Sequence, residues 1–225
     1  MAGKVFVVDG LDGSGKRTQG KKLCGYLKGK GYDVKLVSFP EYSSESSSLV
    51  KMYLSGKLGQ DAELLYPFAI SAFYAADRFI QFATGLKEFY DNGGIIICDR
   101  YVSANMIHQG AKLENADERK AFYDWCENYE YGYLGLPKPD ETFMLLVEPE
   151  ISQRLMTERY NNDESKKDIH EANVGYLNKC YDTAKEVADY CKWNIVNCTD
   201  GKNIYSIDDI FGKIVLRVDE LLEQK

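Results

Sequence analysis

The sequence predicts an α/β fold in which a central parallel sheet is covered by helices on both faces. Five short runs are apolar throughout rather than alternating: KVFVV (4–8), VKLVSF (34–39), IIIC (95–98), TFMLLV (142–147) and NIVNC (194–198). Continuous apolar runs are typical of strands that are buried on both faces, as they are in parallel sheets. Longer stretches with helical periodicity separate the runs, and this alternation is the pattern of an α/β fold.

Three helices are predicted from apolar residues that recur every three or four positions. The first spans about 67–90, because Pro67 suits a first turn and a pair of glycines at 93–94 ends the pattern. The second spans 170–191, and the third spans 206–221. These helices are long enough to cover the predicted sheet.

Two polar segments interrupt this pattern, EYSSESSS (41–48) and ERYNNDESKKD (158–168). Either could be a solvated connection between elements. Each could instead be a loop beside an active site, because loops on a rigid scaffold often carry function.

Composition sets broad limits on the class of protein. A chain of 225 residues can bury a substantial core, and we expect a single domain over residues 1–225. Its 28 basic and 35 acidic side chains give a formal net charge of −7, which disfavours binding to nucleic acid or to an anionic membrane. Six cysteines without a CxxC pair are typical of reduced thiols. With no signal-type segment and no stretch of ~20 apolar residues, we expect a cytoplasmic protein.

The stretch GLDGSGKRTQ (10–19) has the spacing of a phosphate-binding loop. It follows a predicted strand and precedes a helix, which is the context that makes a GxxxxGK match meaningful. Backbone N–H groups at the start of that helix would bind a di- or triphosphate, and Lys16 would reach its β and γ oxygens. We expect the donor nucleotide to contact Gly10, Leu11, Asp12, Gly13, Ser14, Gly15, Lys16, Arg17 and Thr18.

Arg17 occupies the position where such loops normally carry a Ser or Thr hydroxyl that ligates Mg²⁺. A cation cannot take that role. Thr18 could reach the metal instead, the metal could be held through water and Asp99, or Arg17 could point away along the helix surface. We favour a water-mediated Mg²⁺ site, because Thr18 is rotated by about 100° from the usual position.

Charged residues stand in two other places that need an explanation. Asp12 lies inside the phosphate loop, where a carboxylate either accepts a hydrogen bond from a sugar hydroxyl or stabilises the helix N-terminus. Asp77 and Arg78 are adjacent in the apolar stretch SAFYAADRFI, so they point about 100° apart on a helix. We interpret this second pair as part of a ligand pocket.

Five motifs taken together resemble a known family. They are GLDGSGKRTQ (10–19), SFPEY (38–42), FYAADR (73–78), CDRYVSANMIHQGAK (98–112) and GLPKPD (135–140). Their order and spacing are similar to those of thymidylate kinases, which transfer a phosphoryl group from ATP to dTMP. The resemblance extends from residue 4 to about 200. It implies a three-layer P-loop NTPase fold with a small lid at about 150–171, and a homodimer.

The resemblance also implies roles for single residues in binding dTMP. Phe73 corresponds to the aromatic that stacks on thymine, and Arg78 to the arginine that donates to a thymine carbonyl. Arg100 corresponds to the arginine that binds the acceptor phosphate, and Asp99 beside it would orient it or hold the metal shell. The full set expected at dTMP is Asp12, Phe39, Phe73, Arg78, Arg100, Asn105 and Gln109.

Some of these residues also have a plain structural interpretation. Phe73 lies in an apolar helix and could be core, Asn105 could cap a helix, and Gln109 could be exposed. The two histidines, His108 and His170, are far apart in sequence, and neither is expected to bind a metal.

The transferred phosphoryl group is expected to need cations from the lid. Gly13 stands where some family members carry an arginine in the phosphate loop, and such enzymes supply the cation from the lid instead. The catalytic cations expected are Lys16, Arg100, Arg154 and Arg159, with Lys166 and Lys167 as alternates. Arg154 could equally form a surface ion pair with Glu158, four residues on.

The chain departs from the family pattern at three positions. Besides Arg17, Tyr42 replaces a phosphate-gripping arginine, and Ile169 replaces a lid arginine. A nucleotide-binding protein without catalysis therefore remains an alternative. A second alternative is a deoxynucleoside kinase, which shares the phosphate loop and a DR-type motif but phosphorylates an uncharged hydroxyl group.

Overall fold

The five apolar runs form a parallel sheet, as the sequence predicts. The computed structural model describes residues 2–59, 66–159 and 174–223, without the side chains at positions 158, 159 and 174. The strands are β1 (Lys4–Gly10), β2 (Val34–Ser38), β3 (Ile95–Asp99), β4 (Glu141–Leu146) and β5 (Asn194–Asn197). Their order is β2-β3-β1-β4-β5, and each neighbouring pair is parallel. Val7 of β1 pairs with Cys98 of β3 and with Thr142 of β4, so β1 is the central strand.

Helices connect the strands and cover both faces of the sheet. They are α1 (Lys16–Gly29), α2 (Ser48–Leu54), α3 (Pro67–Gln81), α4 (Lys87–Asp91), α5 (Val102–His108), α6 (Ala116–Glu127), α7 (Pro149–Arg159), α8 (Val174–Tyr190) and α9 (Ile207–Glu223). Two π-helical turns, Phe82–Leu86 and Asn128–Tyr133, follow α3 and α6.

The helices predicted from periodicity correspond closely to those in the structure. The predicted helix 67–90 is α3, a π-helical turn and α4 in succession, and it ends at Asp91 before the two glycines. The predicted helix 206–221 is α9. The predicted helix 170–191 matches α8 from Val174 onward, and positions 170–173 lie outside the described residues.

The core consists of two apolar layers, one on each side of the sheet. Alternate β1 residues serve the two layers: Val5 and Val7 pack with α5, α6 and α8, whereas Phe6 and Val8 pack with α1 and α9. Burying one such aliphatic side chain stabilises the folded state by about 1.5–3 kcal/mol relative to leaving it exposed to water. Burial on both faces explains why the strands are apolar throughout, and it confirms the three-layer α/β arrangement.

The serine-rich segment 41–48 is tied to helix α3 rather than merely solvated. Ser46 and Ser47 both donate hydrogen bonds from their hydroxyls to Oδ1 of Asp77. Gln81, one turn further along α3, donates to Oδ2 of the same carboxylate at 2.7 Å. Asp77 therefore anchors the segment that follows β2, which corrects its interpretation as a pocket residue. The second polar segment, 158–168, lies almost entirely outside the described residues.

The cysteines match the expectation of reduced thiols. All six are free, and five of them are buried. In the described ranges, no helix has the length and apolar character that crossing a membrane requires.

Candidate active site

A cavity of about 510 Å³ opens at the edge of the sheet where the strands end. Because β1, β2 and β3 are parallel, the segments that follow them meet at this edge. Helices α3, α5 and α7 complete the walls. The lining residues are Asp12, Gly13, Gly15, Lys16, Arg17, Thr18, Ser38, Phe39, Pro40, Tyr42, Leu54, Tyr74, Arg78, Asp99, Arg100, Ala104, Asn105, His108, Gln109, Leu155 and Met156.

The loop between β1 and α1 forms one wall, and its glycines are required by geometry. Gly13 has a φ of 82°, and a Cβ atom there would lie 2.7 Å from the Ser152 carbonyl oxygen. Gly15 has a φ of 86° and immediately precedes Lys16, the first residue of α1. The loop thus delivers backbone N–H groups and a lysine to the cavity, which is the arrangement that binds phosphate at a helix N-terminus. Gly10, Leu11 and Ser14 belong to this loop but do not line the cavity.

Asp12 links the cations on the two sides of the cavity. Its Oδ1 atom accepts hydrogen bonds from Lys16 Nζ at 3.0 Å and from Arg100 Nη2 at 2.7 Å. Burial raises the pKa of Asp12, but the charges of Arg100 and Lys16 outweigh it and hold that pKa well below its usual range. The carboxylate is therefore ionised and keeps both cations at one point.

Arg100 follows β3 with an unusual backbone conformation. Its φ is 68°, in the left-handed region that non-glycine residues rarely adopt. Its guanidinium contacts Asp12, and its Nη1 lies 2.7 Å from Nε2 of His108. Because arginine is only a donor, Nε2 accepts and the ring proton is on Nδ1, which lies 3.7 Å from Cys180 Sγ. His108 is thus a site residue that sequence reasoning did not place at the cavity.

Asp99, the last residue of β3, carries an uncommitted carboxylate oxygen. Its Oδ1 atom is buried and has no hydrogen-bond partner. Burial raises the pKa of Asp99, and the nearby charges of Lys16 and Arg100 only partly oppose this. In the part of the chain that the structure describes, no three His, Cys, Asp or Glu residues cluster closely enough to hold a metal ion.

The residue in the usual hydroxyl position faces the cavity. Arg17 is exposed and lines the wall next to Thr18, which is also exposed. Arg17 therefore lies at the cavity and supplies a cation where the usual loop supplies a hydroxyl.

The aromatic wall of the cavity is formed by Tyr74 rather than by Phe73. Tyr74 and Arg78 are four residues apart and so share one face of α3, and both line the cavity. Phe73 is turned about 100° from that face, is partly buried and does not line the cavity. Phe73 is therefore not at the cavity, where the sequence predicts it, and Tyr74 lies there instead. Phe39, which is buried, lines the cavity as expected.

Polar side chains of α3 and α5 form the far wall. Arg78 donates from Nε and Nη2 to the two carboxylate oxygens of Glu130, each at 2.6 Å. Asn105 donates from Nδ2 to Glu130 Oε1 and to the Ser71 carbonyl, each at 3.1 Å, so it does not cap a helix. Gln109 is only 2% exposed, and its Oε1 atom has no partner. Both alternatives for these amides, capping and exposure, are thereby wrong.

Glu130 is a residue that sequence reasoning missed. It lies in the turn Asn128–Tyr133, whose tyrosines stand at every second position and so give no helical period. The sequence did contain one signal, which is Arg78. An arginine inside an apolar helix needs a buried acid as its partner, but spacing along the chain cannot show where that acid is.

Among the residues that the structure describes, no cation expected from the lid lies at the cavity. Arg154 is exposed on α7 and donates to the Lys202 carbonyl at 3.2 Å, because its face of the helix points outward. Leu155 and Met156 are the α7 residues that line the cavity. The side chain of Arg159 lies outside the described residues, as do Lys166, Lys167 and Ile169.

A phosphate-binding loop that shares one cavity with Arg100 at the carboxyl edge of a parallel sheet defines a P-loop phosphotransferase. The sequence profile of the family described as Thymidylate kinase matches residues 8–206. The chain therefore belongs to the thymidylate kinase family.

Individual relatives agree with the family assignment. Thymidylate kinase from Mycobacterium tuberculosis is 35% identical over 152 residues, which are 66% of this chain and 68% of that protein. The Caldicellulosiruptor saccharolyticus enzyme is 27% identical over the whole of both chains, and the human enzyme is 33% identical over 65% of this chain and 62% of its own. The solved structure of thymidylate kinase from Candida albicans has a TM-score of 0.71 and 23% identity, covering 99% of this chain and 94% of that one. This structural likeness shows the fold.

Proposed function

We propose that the cavity binds ATP and dTMP together and that Lys16 serves the donor while Arg100 serves the acceptor. As a member of its family the enzyme phosphorylates dTMP to dTDP with ATP, a step in dTTP synthesis. One observation supports the assignment of residues: the two cations contact the same oxygen of Asp12. Groups bound by Lys16 and Arg100 would therefore lie close enough for direct transfer.

The proposed transfer needs no covalent intermediate. An oxygen of the acceptor phosphate attacks the γ-phosphorus of ATP in line with the departing β-γ bridging oxygen, and ADP leaves. The acceptor oxygen is already ionised, so no general base is required. Lys16 and Arg100 would offset the negative charge that gathers between the two nucleotides.

The remaining walls fit a deoxynucleotide. Tyr74 and Phe39 offer flat apolar surfaces for a pyrimidine, and Arg78 and Asn105 offer polar atoms for its edge. Gln109 carries a buried amide oxygen without a partner, so it can accept a hydrogen bond from the ligand. We propose these residues, with Asp12 near the sugar, as the dTMP site.

The residues at the donor side fit a magnesium ion. Asp99 would hold it, directly or through water, because its buried Oδ1 atom has no other partner. Bound there, Mg²⁺ would neutralise charge on the phosphates of ATP. Arg17 supplies further positive charge next to it but no ligand atom.

The transferred phosphoryl group would need a further cation from the lid. We propose Arg154 or Arg159 as the cation supplied to the transferred group, although Arg154 would first have to leave the Lys202 carbonyl.

We propose a homodimer, supported by the exposed apolar residues Phe79 and Ile80 on α3. Six free thiols support a cytoplasmic location.

An ADP-release assay tests the proposed function. The purified chain is given ATP and each of a panel of nucleoside monophosphates, with and without Mg²⁺, and thymidine is offered in parallel. We expect ADP release that depends on dTMP and on Mg²⁺. Turnover of thymidine but not of dTMP would indicate a deoxynucleoside kinase, and calorimetric binding of both nucleotides without ADP release would indicate a binding protein.

A further inference from the structure

A buried acid stands behind the wall proposed for the base. Glu130 is 1% exposed, and Arg78, with which it pairs, is also 1% exposed. Glu130 does not line the cavity, and the proposed transfer does not use it. Its ion pair is nevertheless fixed, because removing either partner would leave an uncompensated charge in the core.

The pair decides which atom of Arg78 is available to a ligand. Nε and Nη2, one edge of the guanidinium, both donate to the Glu130 carboxylate at 2.6 Å. Nη1 is the guanidinium nitrogen that takes no part in this pairing with Glu130. Since a guanidinium has only donors, Arg78 presents a hydrogen-bond donor to the cavity that it lines.

The same carboxylate decides which way the Asn105 amide points. The atom of this amide that faces Glu130 Oε1 and the Ser71 carbonyl lies 3.1 Å from each, and both partners are acceptors. That atom must therefore be the nitrogen, and Oδ1 is the end left over. Asn105 lines the cavity next to Arg78 and so presents an acceptor.

We infer that Glu130 is a positioning residue that makes the pocket select thymine or uracil over cytosine, by holding a donor on Arg78 beside an acceptor on Asn105. Thymine and uracil carry a carbonyl acceptor at C4 next to an N–H donor at N3. Cytosine carries the reverse pattern, an amino donor at C4 next to a bare acceptor at N3. The inference rests on the proposed function, because it requires the base of dTMP to lie at this wall.

Replacing Glu130 by glutamine would disturb this pattern without changing the size of the side chain. One carboxylate oxygen becomes an NH₂ group, which cannot accept from Arg78 or from Asn105. Rotation of the Asn105 amide would then turn Nδ2 toward the cavity, and a donor in that position matches N3 of cytosine. The change therefore affects discrimination between bases and not only affinity.

The test is steady-state kinetics of Glu130→Gln with dTMP, dUMP and dCMP as acceptors. We expect the KM for dTMP to rise roughly 10- to 100-fold, the size of effect of one or two hydrogen bonds to charged groups, while the KM for ATP changes less than about twofold. The ratio of kcat/KM for dTMP over dCMP should fall about tenfold or more. The values for dUMP should move with those for dTMP, because uracil has the same edge.

Two further variants keep the test decisive. Glu186→Gln removes a similar pair, with Arg119, whose Nη2 lies 2.6 Å from Glu186 Oε2 outside the cavity wall. It should leave the dTMP to dCMP ratio unchanged, and an equal shift there would overturn the inference. Glu130→Asp keeps the charge but shortens its reach, so it should raise the KM for dTMP by a smaller factor. If thermal unfolding shows that Glu130→Gln does not fold, Glu130→Asp decides the matter.

The outcomes separate this inference from the proposed function. A wild-type enzyme that releases no ADP with dTMP refutes the function and, with it, the inference. An active wild type together with a folded Glu130→Gln that keeps both its KM for dTMP and its base preference overturns the inference alone.

Discussion

At the scale of single residues, Arg100 combines a strained backbone with a central position in the site. A non-glycine residue at a φ of 68° is held there at a cost of order 1–3 kcal/mol. Three contacts compensate for it: the backbone N–H donates to the Val8 carbonyl at 3.3 Å, and the side chain contacts Asp12 and His108. Such strain clusters at functional sites, and here it aims the guanidinium at Asp12 and the phosphate loop.

Arg100→Gln tests the acceptor role of this residue. A neutral amide cannot offset the charge of the acceptor phosphate, so we expect kcat/KM for dTMP to fall about 100-fold or more. ATP binding, measured by calorimetry, should change less than about threefold. Arg119→Gln, which removes an arginine outside the cavity, is the matched control and should retain activity. Loss of ATP binding in Arg100→Gln would show that this residue serves the donor instead.

At the scale of elements, the helix that carries the phosphate loop is held against the last helix of the chain. Tyr26 of α1 meets Phe211 of α9 edge to face, with ring centroids 5.8 Å apart. Asp219 of α9 accepts hydrogen bonds from the Tyr26 hydroxyl at 2.6 Å and from Lys30 at 2.8 Å. Burial raises the pKa of Asp219, but these two hydrogen bonds and the charge of Lys30 together outweigh it and lower that pKa. The carboxylate therefore stabilises the fold in its ionised form.

Asp219→Asn is expected to weaken the α1–α9 contact in a pH-dependent way. The pKa of Asp219 in the folded state lies below its unfolded value of ~4. Its contribution to the free energy of unfolding is therefore present at neutral pH and is lost as the pH falls through the folded pKa. Because the pair is partly exposed, we expect a loss of only about 0.5–1 kcal/mol at pH 7. Urea unfolding of both proteins from pH 7 down to pH 2.5 measures it, and the two curves should converge at the acid end. A gap that stays constant over this range would contradict the assignment.

Helix α3 joins the two sides of the pocket through its adjacent charges. Asp77 binds the serine-rich segment that follows β2, whereas Arg78 binds Glu130 in the turn that follows α6. Two neighbouring residues on a helix point about 100° apart, which lets each reach a different element. The sequence showed that this charged pair was anomalous, but it could not show the partners, which lie 30 and 52 residues away.

At the scale of the whole molecule, two neighbouring large apolar side chains of α3 are left exposed by the residues that the structure describes. Phe79 and Ile80, adjacent on α3, are 41% and 43% exposed. A second copy of the chain would cover them in the proposed homodimer.

Replacing both residues by lysine tests this assembly. We expect the wild type to sediment as a dimer at micromolar concentration, and Phe79→Lys with Ile80→Lys to weaken association about 100-fold or more. Ile207→Lys, at a similarly exposed position on α9, should leave the dimer intact. A wild type that sediments as a monomer at tens of micromolar would contradict the proposal.

How much of the site was predictable depended on whether a motif or a long-range contact determined it. The loop with Lys16 was identified from its local pattern, and Arg100, which follows β3, from the family resemblance of its motif; both line the cavity. The aromatic wall was misplaced by one residue, from Tyr74 to Phe73, because one step along a helix changes the face by about 100°. Arg154 was expected at the cavity but points outward, because spacing alone does not fix the rotation of α7.

The sequence by itself determined the parallel sheet, the alternation of its strands with helices and the phosphate loop, because these follow from local patterns of apolar residues and glycines. The tertiary structure alone decided that Asp12 joins Lys16 to Arg100, that His108 supports Arg100, and that Glu130 fixes Arg78 and Asn105. These partners lie up to 88 residues apart, and their meeting depends on packing of the whole chain rather than on any local pattern.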